Sequence, residues 1–453
     1  MQSRTVLISG LGIAGPALAF WLERYGFEPT LVEISPSARR GGYMIDFWGV
    51  GYDAAERMDL LPELREAGYR IDEVRLVDAS NRRIAGIDGD LFRSALGARF
   101  LSILRGDLAF ALFRRIEGRV PVVFGDEIAS LKETAGGVEV EFRSGRSSRF
   151  DLVVGADGLH SVVRRVAFGP EARFERPLGF STASFTAEAY PHRDEGAYTS
   201  YTEPGRQIAR YALHDGRTAF FFVWSDDGRA RPISAGLDAE EGAMRGGGLD
   251  AEQAAMRGGG LDVEQASIRG DGKLDAEKAA IREAFAGMAW EWPEIEPRLE
   301  AAPDVYADTV SQIRMPAWSK GRIALLGDAA YCPSLLAGQG AAFAIAGAYL
   351  LAGELAESEG DHARAFDRYE RRFKPFVEKK QDAASSFGNQ FAPKTAFALR
   401  LRNSLTSLMK LPLLGEWMMR KMVGDDFALP DYGGRVGAGG PTGGRARLGP
   451  RPT

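Results

Sequence analysis

The chain has a single cysteine, Cys332, so no disulfide can form within it, and such usage points to a reducing compartment. Histidine is nearly as scarce. His160, His192, His214 and His362 lie far apart with no metal-ligand spacing, so no metal site is expected and a metal hydrolase is excluded. Neither sign of charge dominates: 57 Lys and Arg against 62 Asp and Glu leave a net charge of −5, which excludes a strongly basic nucleic-acid binder. Long hydrophobic runs are missing as well. Arg4 and the apolar run after it mimic a signal peptide, but Gly10, Gly12, Gly15 and Pro16 interrupt that run. Ala329–Gly353 is 25 residues without charge, yet Pro333, Ser334, Gln339 and its glycines are poor chemistry for a membrane span. A buried loop leading into a small-residue helix is expected there, with no stable span and a cytoplasmic location.

What is abundant is glycine, 55 of 453 residues, about 12% against a usual value of roughly 7%. Two tracts, Gly236–Gly272 with ten and Gly433–Thr453 with eight, hold most of the surplus. The first belongs to an internal repeat, in which Leu237–Gly248, Leu249–Gly260, Leu261–Lys273 and Leu274–Arg282 are near copies with a period of 12, 12, then 13 residues. That is too short for a solenoid unit, and two helical turns per copy are unstable alone. A flexible insertion is expected, with only the last copy continuing as a true helix into Phe285. The second tract, rich in Gly, Pro and Arg, reads as disordered.

Between these tracts the chain alternates in character. Thr5–Ser9 is a continuous apolar strand of the kind buried in parallel sheets; Ala17–Tyr25 reads as a helix and Thr30–Glu33 as a second strand. Val122–Phe124, Val138–Phe142, Leu152–Val154 and Ile323–Leu326 read as further strands, and Gly340–Ser358 as a helix. The middle differs. Phe180–Tyr190, Ala197–Thr202, Gln207–Leu213 and Thr218–Trp224 are aromatic β-segments separated by turn residues, which predict a large antiparallel sheet. It stands between two α/β blocks, so the nucleotide domain is discontinuous. Ala392–Val423 is basic and amphipathic, a pattern that fits a membrane surface or, more often, a helix docked on its own domain.

Gly10-Leu11-Gly12-Ile13-Ala14-Gly15 is the G-x-G-x-x-G pattern of dinucleotide-binding folds. The first glycine permits the tight turn, the second lets the backbone approach a pyrophosphate, and the third lets helix pack on strand. The helix then presents free N–H groups and a positive dipole end to the phosphates. Glu33, at the end of the second strand, is placed to accept from a ribose 2′-OH and to repel a 2′-phosphate. This pattern alone does not separate FAD from NAD.

Two further constellations narrow the choice. Asp151–Arg164 contains Gly155, Asp157, Gly158 and Ser161 in a strand–turn–helix setting. Gly321–Ala330 ends in Gly327-Asp328, and Pro333 and Gly338-Gln339-Gly340 follow. The three motifs in this order resemble the class A flavoprotein monooxygenases, the para-hydroxybenzoate hydroxylase family. Gly327–Ala356 is similar to the branch that contains tetracycline-inactivating and polyketide-tailoring hydroxylases. The resemblance covers most of residues 4–360 apart from the repeat.

It implies a discontinuous, Rossmann-like α/β FAD-binding domain (residues 1–72, 100–176 and 306–385). An antiparallel-sheet substrate domain is inserted in it (73–99 and 177–305, with the flexible repeat at 237–273). A C-terminal helix (386–430) and a disordered tail (431–453) follow. It implies that Gly10, Gly12, Ala14, Gly15 and Glu33 hold the ADP half of FAD, and that Arg105 contacts the flavin chain. Asp157, with Gly158 and Arg164, would serve FAD and NAD(P)H binding, and Asp328 would bond the ribityl hydroxyls. Pro333, Gly338 and Gly340 would lie by the isoalloxazine, and Gly41-Gly42 with Arg39 or Arg40 beside it. Tyr331 departs from the family, in which many members have histidine at that point.

Elementary physics favours some of these roles independently. Reduced flavin is anionic near N1 and C2=O, and a glycine-rich loop feeding a helix at Gly340 offers N–H donors and a dipole end. Asp328 follows a buried strand, at the sheet edge where α/β ligands bind. The lesser alternatives are a local ion pair or a helix cap for Asp157 and Arg164, and an ordinary surface arginine for Arg105.

The expected activity is therefore FAD-dependent oxygenation, with NADPH or NADH and O₂ as co-substrates, by way of a flavin C4a-hydroperoxide that hydroxylates a multi-ring aromatic molecule. Phe180, Tyr211, Phe220, Phe222 and Trp224 are the candidate pocket residues, although alternate strand positions must face elsewhere. Baeyer–Villiger oxygenation shares the motifs, and a redox-silent flavin-binding protein would keep them too. A nicotinamide dehydrogenase would need only the first motif. The halogenase-like pair Trp290 and Trp292 reads as helix-end aromatics. A monomer or homodimer is expected.

Overall fold

The computed structural model describes residues 4–38, 43–96, 99–227, 263–385 and 388–409, together with 415, 417, 419, 424 and 426–433. Two sheets organise it. The first has six strands in the order Ser319–Lys320, Ile323–Leu325, Leu152–Gly155, Thr5–Ser9, Glu28–Glu33, Val122–Phe124. Only the outermost pair, Ser319–Lys320 with Ile323–Leu325, is antiparallel. The central strands are apolar without alternation because helices cover both faces. Ala14–Arg24 and Gly340–Glu357 are among the helices of this core. Gly340–Glu357 is apolar and long enough to cross a membrane, but 78% of it is buried inside the protein, and it is the core helix of this layer.

Register fixes where the motifs emerge. Ser9 pairs with Gly155 and with Val32, and Gly155 pairs with Leu325. The carboxyl ends of four parallel strands are therefore level. The turns that follow, at Gly10, Glu33, Ala156 and Leu326, leave from one edge of the sheet.

The second sheet has seven strands in the order Tyr306–Ile313, Glu175–Ala187, Thr218–Ser225, Arg206–Ala212, Ala197–Glu203, Glu73–Val77, Arg83–Asp88. All its pairs are antiparallel except Ala197–Glu203 with Glu73–Val77. The fold is thus mixed α/β, with an interrupted nucleotide-type sheet, an antiparallel-rich sheet and a helical C-terminal part. One face of the seven-stranded sheet is sealed by Ile281, Phe285, Trp292, Ile295 and Leu299, which pack on Phe185, Phe220, Phe222 and Trp224. The other face meets a two-stranded antiparallel ribbon, Met44–Trp48 with Phe100–Leu104.

Two expectations need correction. The helix beyond the repeat begins at Val263, not in the last copy, and runs to Phe285 through Gly270 and Gly272. Its C-terminal half is anchored by Leu274, Ile281, Ala284 and Phe285. Once that half is fixed, each further residue adds one hydrogen bond, so two glycines at about 1 kcal/mol each are tolerated. The first two copies lie outside the described residues. Tyr432, placed in the tail by sequence, is instead buried. Its hydroxyl donates to Glu354 Oε1 at 2.7 Å, and its ring fills the space beside Gly353. Residues 434–453 lie outside the description.

Candidate functional site

The glycine turn after the first strand is as tight as its sequence demands. Gly10 has φ +103°, and a Cβ there would stand 2.6 Å from the Ala156 carbonyl oxygen. Gly12 opens on free space, with Arg105 Nη2 at 4.0 Å the nearest atom to its missing side chain. The helix Ala14–Arg24 starts with no side-chain cap and no acidic residue in its first turn, so its N–H groups remain available to an anion. Glu33 is held at the strand end by N–H donors from Leu11 at 2.8 Å and Ser35 at 2.9 Å. Each carboxylate oxygen keeps a lone pair for a hydroxyl.

The second motif acts mainly as a brace. Asp157 accepts from Ser161 Oγ, from Ser9 Oγ at 3.3 Å and from the N–H of Val163 at 3.1 Å. Burial raises its pKa, against the pull of these bonds. Arg164 is fully buried and donates to the Ala329 carbonyl at 3.0 Å while pairing with Glu171, which joins the second motif to the third. His160 stands over this brace, 3.4 Å from Asp308 Oδ2 and 2.9 Å from Glu171 Oε1. Hydrogen bonds donated by the ring to Asp308 and then to Glu171 lift its pKa to about 10. The stabilisation is therefore complete below the usual histidine pKa and is lost as pH rises through about 10. The ring is 59% exposed, so the contribution is about 1 kcal/mol or less. Melting curves at pH 7 and pH 10.5 check it: wild type should lose more of its stability over that span than His160→Gln.

The third motif builds the floor. Gly327, at φ +65°, turns the chain so that Asp328 points back over the sheet edge. One Asp328 carboxylate oxygen lies 3.3 Å from where a Cβ on Gly340 would be, beside the start of the helix Gly340–Glu357. That start also has no side-chain cap and no acid in its first turn. Ser334 at φ +100° and Gly338 at φ +68° shape the loop between.

Facing this floor are Arg105, Tyr43 and Tyr306, with the two tyrosine rings 5.4 Å apart. Arg105 has accessible surface, yet desolvation is the largest influence on its charge, outweighed by Tyr43, Tyr306 and Asp328, which raise its pKa. Accessible surface and strong desolvation together describe a side chain lining a deep cleft. Asp46 and Asp328 show the same combination: both keep accessible surface while burial raises both pKa values. Arg105 opposes the shift at Asp328, so a cation and a carboxylate face each other in the cleft. Tyr331 points the other way. It is buried, with its hydroxyl 3.1 Å from Tyr369 Oη and its ring 4.4 Å from Trp318. The departure from histidine therefore alters the core, not the cleft. Cys332 is buried, with its pKa raised by desolvation, and is no nucleophile.

The expected pocket residues divide by strand face. Tyr211 lies on the cleft side, stacked on Tyr198 with centroids 6.0 Å apart, and Phe180 shares that side with Val223. Phe220, Phe222 and Trp224 are on the opposite face, under Phe285 and Trp292, and belong to the back core. Strand alternation exchanges them for Phe221, whose ring lies 6.2 Å from Tyr43. Tyr43, Asp46, Ser102, Tyr198, Phe221 and Tyr306 escape the sequence reading. For Phe221 the one signal was its place between two core aromatics. Arg39, Arg40, Gly41 and Gly42 lie outside the described residues. A separate groove of about 590 Å³ along the helix His362–Ala384 contains none of these residues, and its charges pair among themselves, Arg371 with Asp367 and Lys374 with Glu370.

Known proteins resemble this chain over most of its length. The family model described as an FAD binding domain matches residues 300–384. A flavin-dependent monooxygenase of Legionella longbeachae is 30% identical over 436 residues, which cover 94% of this chain and 98% of the relative. The crystal structure of tetracycline destructase Tet(55) superposes with a TM-score of 0.73 at 30% identity, covering 95% of this chain and 99% of that one. Klebsiella pneumoniae HpxO, solved with FAD and uric acid, shares the fold at 20% identity and a TM-score of 0.68, over 92% and 97% of the two chains.

Proposed function

Since the chain belongs to the class A FAD-dependent monooxygenases, we propose that it uses reduced nicotinamide and O₂ to hydroxylate an electron-rich, multi-ring aromatic molecule in the cleft between its two sheets. FAD, when bound, supplies the hydride acceptance and the activation of O₂. The level strand ends carry this reading, because they bring Gly10, Glu33 and Asp328 to one edge with Arg105 opposite.

The residues present fit FAD. Gly12 leaves room for a pyrophosphate at an uncapped helix, Glu33 suits the adenosine ribose, and Asp328 with Arg105 suits the ribityl chain and the diphosphate. The uncapped start of Gly340–Glu357 provides fixed N–H donors where negative charge develops on a reduced ring, at no reorganisation cost. Asp157 and Arg164 keep the three turns in register. Tyr43, Tyr198, Phe221 and Tyr306, with Tyr211 packed behind Tyr198, form an aromatic wall that orients a flat substrate and excludes water. Kinship with a tetracycline destructase supports tetracyclines and aromatic polyketides as the first substrates to try.

Purified protein should be yellow, with absorption at roughly 450 nm from the cofactor, and NADPH oxidation should accelerate with a substrate from that panel. Colourless protein that takes up no added FAD defeats the whole reading. Yellow protein that forms no hydroxylated product from any panel member defeats only the substrate class.

A further inference from the structure

The helix Ala396–Leu408 is amphipathic in the inverse sense. Arg402, Asn403, Thr406 and Ser407, at three- and four-residue spacing, share its half-buried side with Ala398 and Leu399. That polar side is tied to the seven-stranded sheet: Arg402 donates to Thr202 Oγ1 at 3.3 Å and to the Gln390 and Phe391 carbonyls, each at 3.1 Å. Phe397, Leu401, Leu405 and Leu408 form the other side, and they are 77, 50, 46 and 45% exposed. No residue of this helix is buried. The neighbouring helix His362–Ala384 shows the ordinary arrangement, burying Phe366, Tyr369, Phe373 and Val377. An apolar stripe turned outward over the whole length of a helix marks a surface made to be covered.

Charge selects the covering. Residues 392–423 hold six basic residues against one acid, Glu416, in a chain whose net charge is −5. Lys394 pairs with Asp227 and Arg402 is turned to the protein, which leaves Arg400 on the helix and Lys410, Arg420 and Lys421 in the sequence that follows it. Arg400, on the helix itself, is exposed and has no acidic partner among the described residues. A second copy of the chain fits poorly. Four such side chains offer roughly 400 Å², about half of the ~800 Å² per partner in a stable dimer. A two-fold contact would also set like charge against like charge.

We propose that this helix docks the protein on an anionic lipid surface, lying in the interfacial plane with Phe397, Leu401, Leu405 and Leu408 among the acyl chains and Arg400 at the headgroups. Thirteen residues make a helix of about 20 Å, too short to span a bilayer and suited to lie along it. The proposal is independent of the substrate.

Full-length, FAD-loaded protein should sediment with vesicles of mixed phosphatidylcholine and phosphatidylglycerol, and far less with phosphatidylcholine alone. Added salt should weaken the binding. The triple variant Phe397→Ser/Leu401→Ser/Leu405→Ser should bind about tenfold more weakly with unchanged flavin content and thermal midpoint. Arg400→Glu, which leaves the stripe intact, should also bind more weakly. Wild-type protein that ignores anionic vesicles overturns the proposal, as does a triple variant that binds them equally well. A dimer in light scattering that the triple variant dissolves overturns it too, since the stripe would then cover a second copy.

Discussion

Asp328→Ala is expected to give folded but colourless protein. The substitution extends the existing run Ala329-Ala330 and opens no steric conflict. Burial already raises the Asp328 pKa, against the pull of Arg105 and of a hydrogen bond with the Cys332 thiol. Removing a disfavoured charge therefore costs the fold little. The loss falls on the ligand. A carboxylate bonded to two ribityl hydroxyls contributes about 1.5–3 kcal/mol per bond, and its loss leaves Arg105 facing the cleft without its counter-charge. Affinity for FAD should fall by roughly two to four orders of magnitude. Asp328→Asn keeps an acceptor at the same place and should lose much less. Absorbance at the flavin band after purification, followed by titration with FAD, measures both, and a thermal melt confirms folding. Undiminished affinity in Asp328→Ala would remove the residue from the cofactor site.

The parts of this site legible in sequence are those whose chemistry is local. A strand, a glycine turn and a helix start lie within a few residues of one another, so Gly10–Gly15, Asp157 and Gly327-Asp328 announce themselves. The central strand limits come out nearly as read because both faces are buried and the apolar runs are unbroken. What stays hidden is set by contacts distant in sequence. The ribbon Met44–Trp48 with Phe100–Leu104 reads poorly because Asp46 and Ser102 interrupt its apolar pattern. They do so because they bond each other at 2.6 Å across the ribbon, with Asp46 still open to the cleft. Arg105 is marked only by the resemblance; its own stretch of chain does not show that Tyr43 and Tyr306 come from elsewhere to stand beside it. The aromatic strand Thr218–Ser225 alternates faces, as any strand does. Nothing within it says which face the helix Val263–Phe285 will take, so Phe220, Phe222 and Trp224 could not be separated from Phe221. The inverse polarity of Ala396–Leu408 is hidden for the same reason: its sequence declares two faces but not which one meets the protein.

That back face leads to the second large effect. Arg210→Met should lower the melting temperature by about 10 °C without releasing FAD. Arg210 is fully buried, donating to Glu291 at 2.6 and 2.9 Å and to Asp194 at 2.8 Å, and its guanidinium lies 5.4 Å from the Trp290 ring centre. Tyr190 donates to the same Glu291 at 2.8 Å, and Arg75 pairs with Asp194 at 3.0 Å. The carboxylates outweigh desolvation and raise the Arg210 pKa. Glu291 immediately precedes the helix Trp292–Ala301, so the pair pins that helix to the sheet. Removing one partner strands Glu291 as a buried charge with only a tyrosine hydroxyl to meet it, a loss of about 3–5 kcal/mol. At about 2–4 °C per kcal/mol for a domain of this size, the shift follows. Asp194 keeps Arg75 and adds little to the deficit. Removing both charges is different, since a well-packed apolar pair often replaces a buried ion pair at small cost. Arg210→Met/Glu291→Leu should therefore recover at least half of the lost stability despite carrying more changes. A double variant no more stable than the single one would show that the hydrogen bonds of Tyr190 and the packing of Trp290, not the stranded charge, hold the helix. Flavin absorbance should stay constant through the series, because the network lies on the face of the sheet that the cleft does not share.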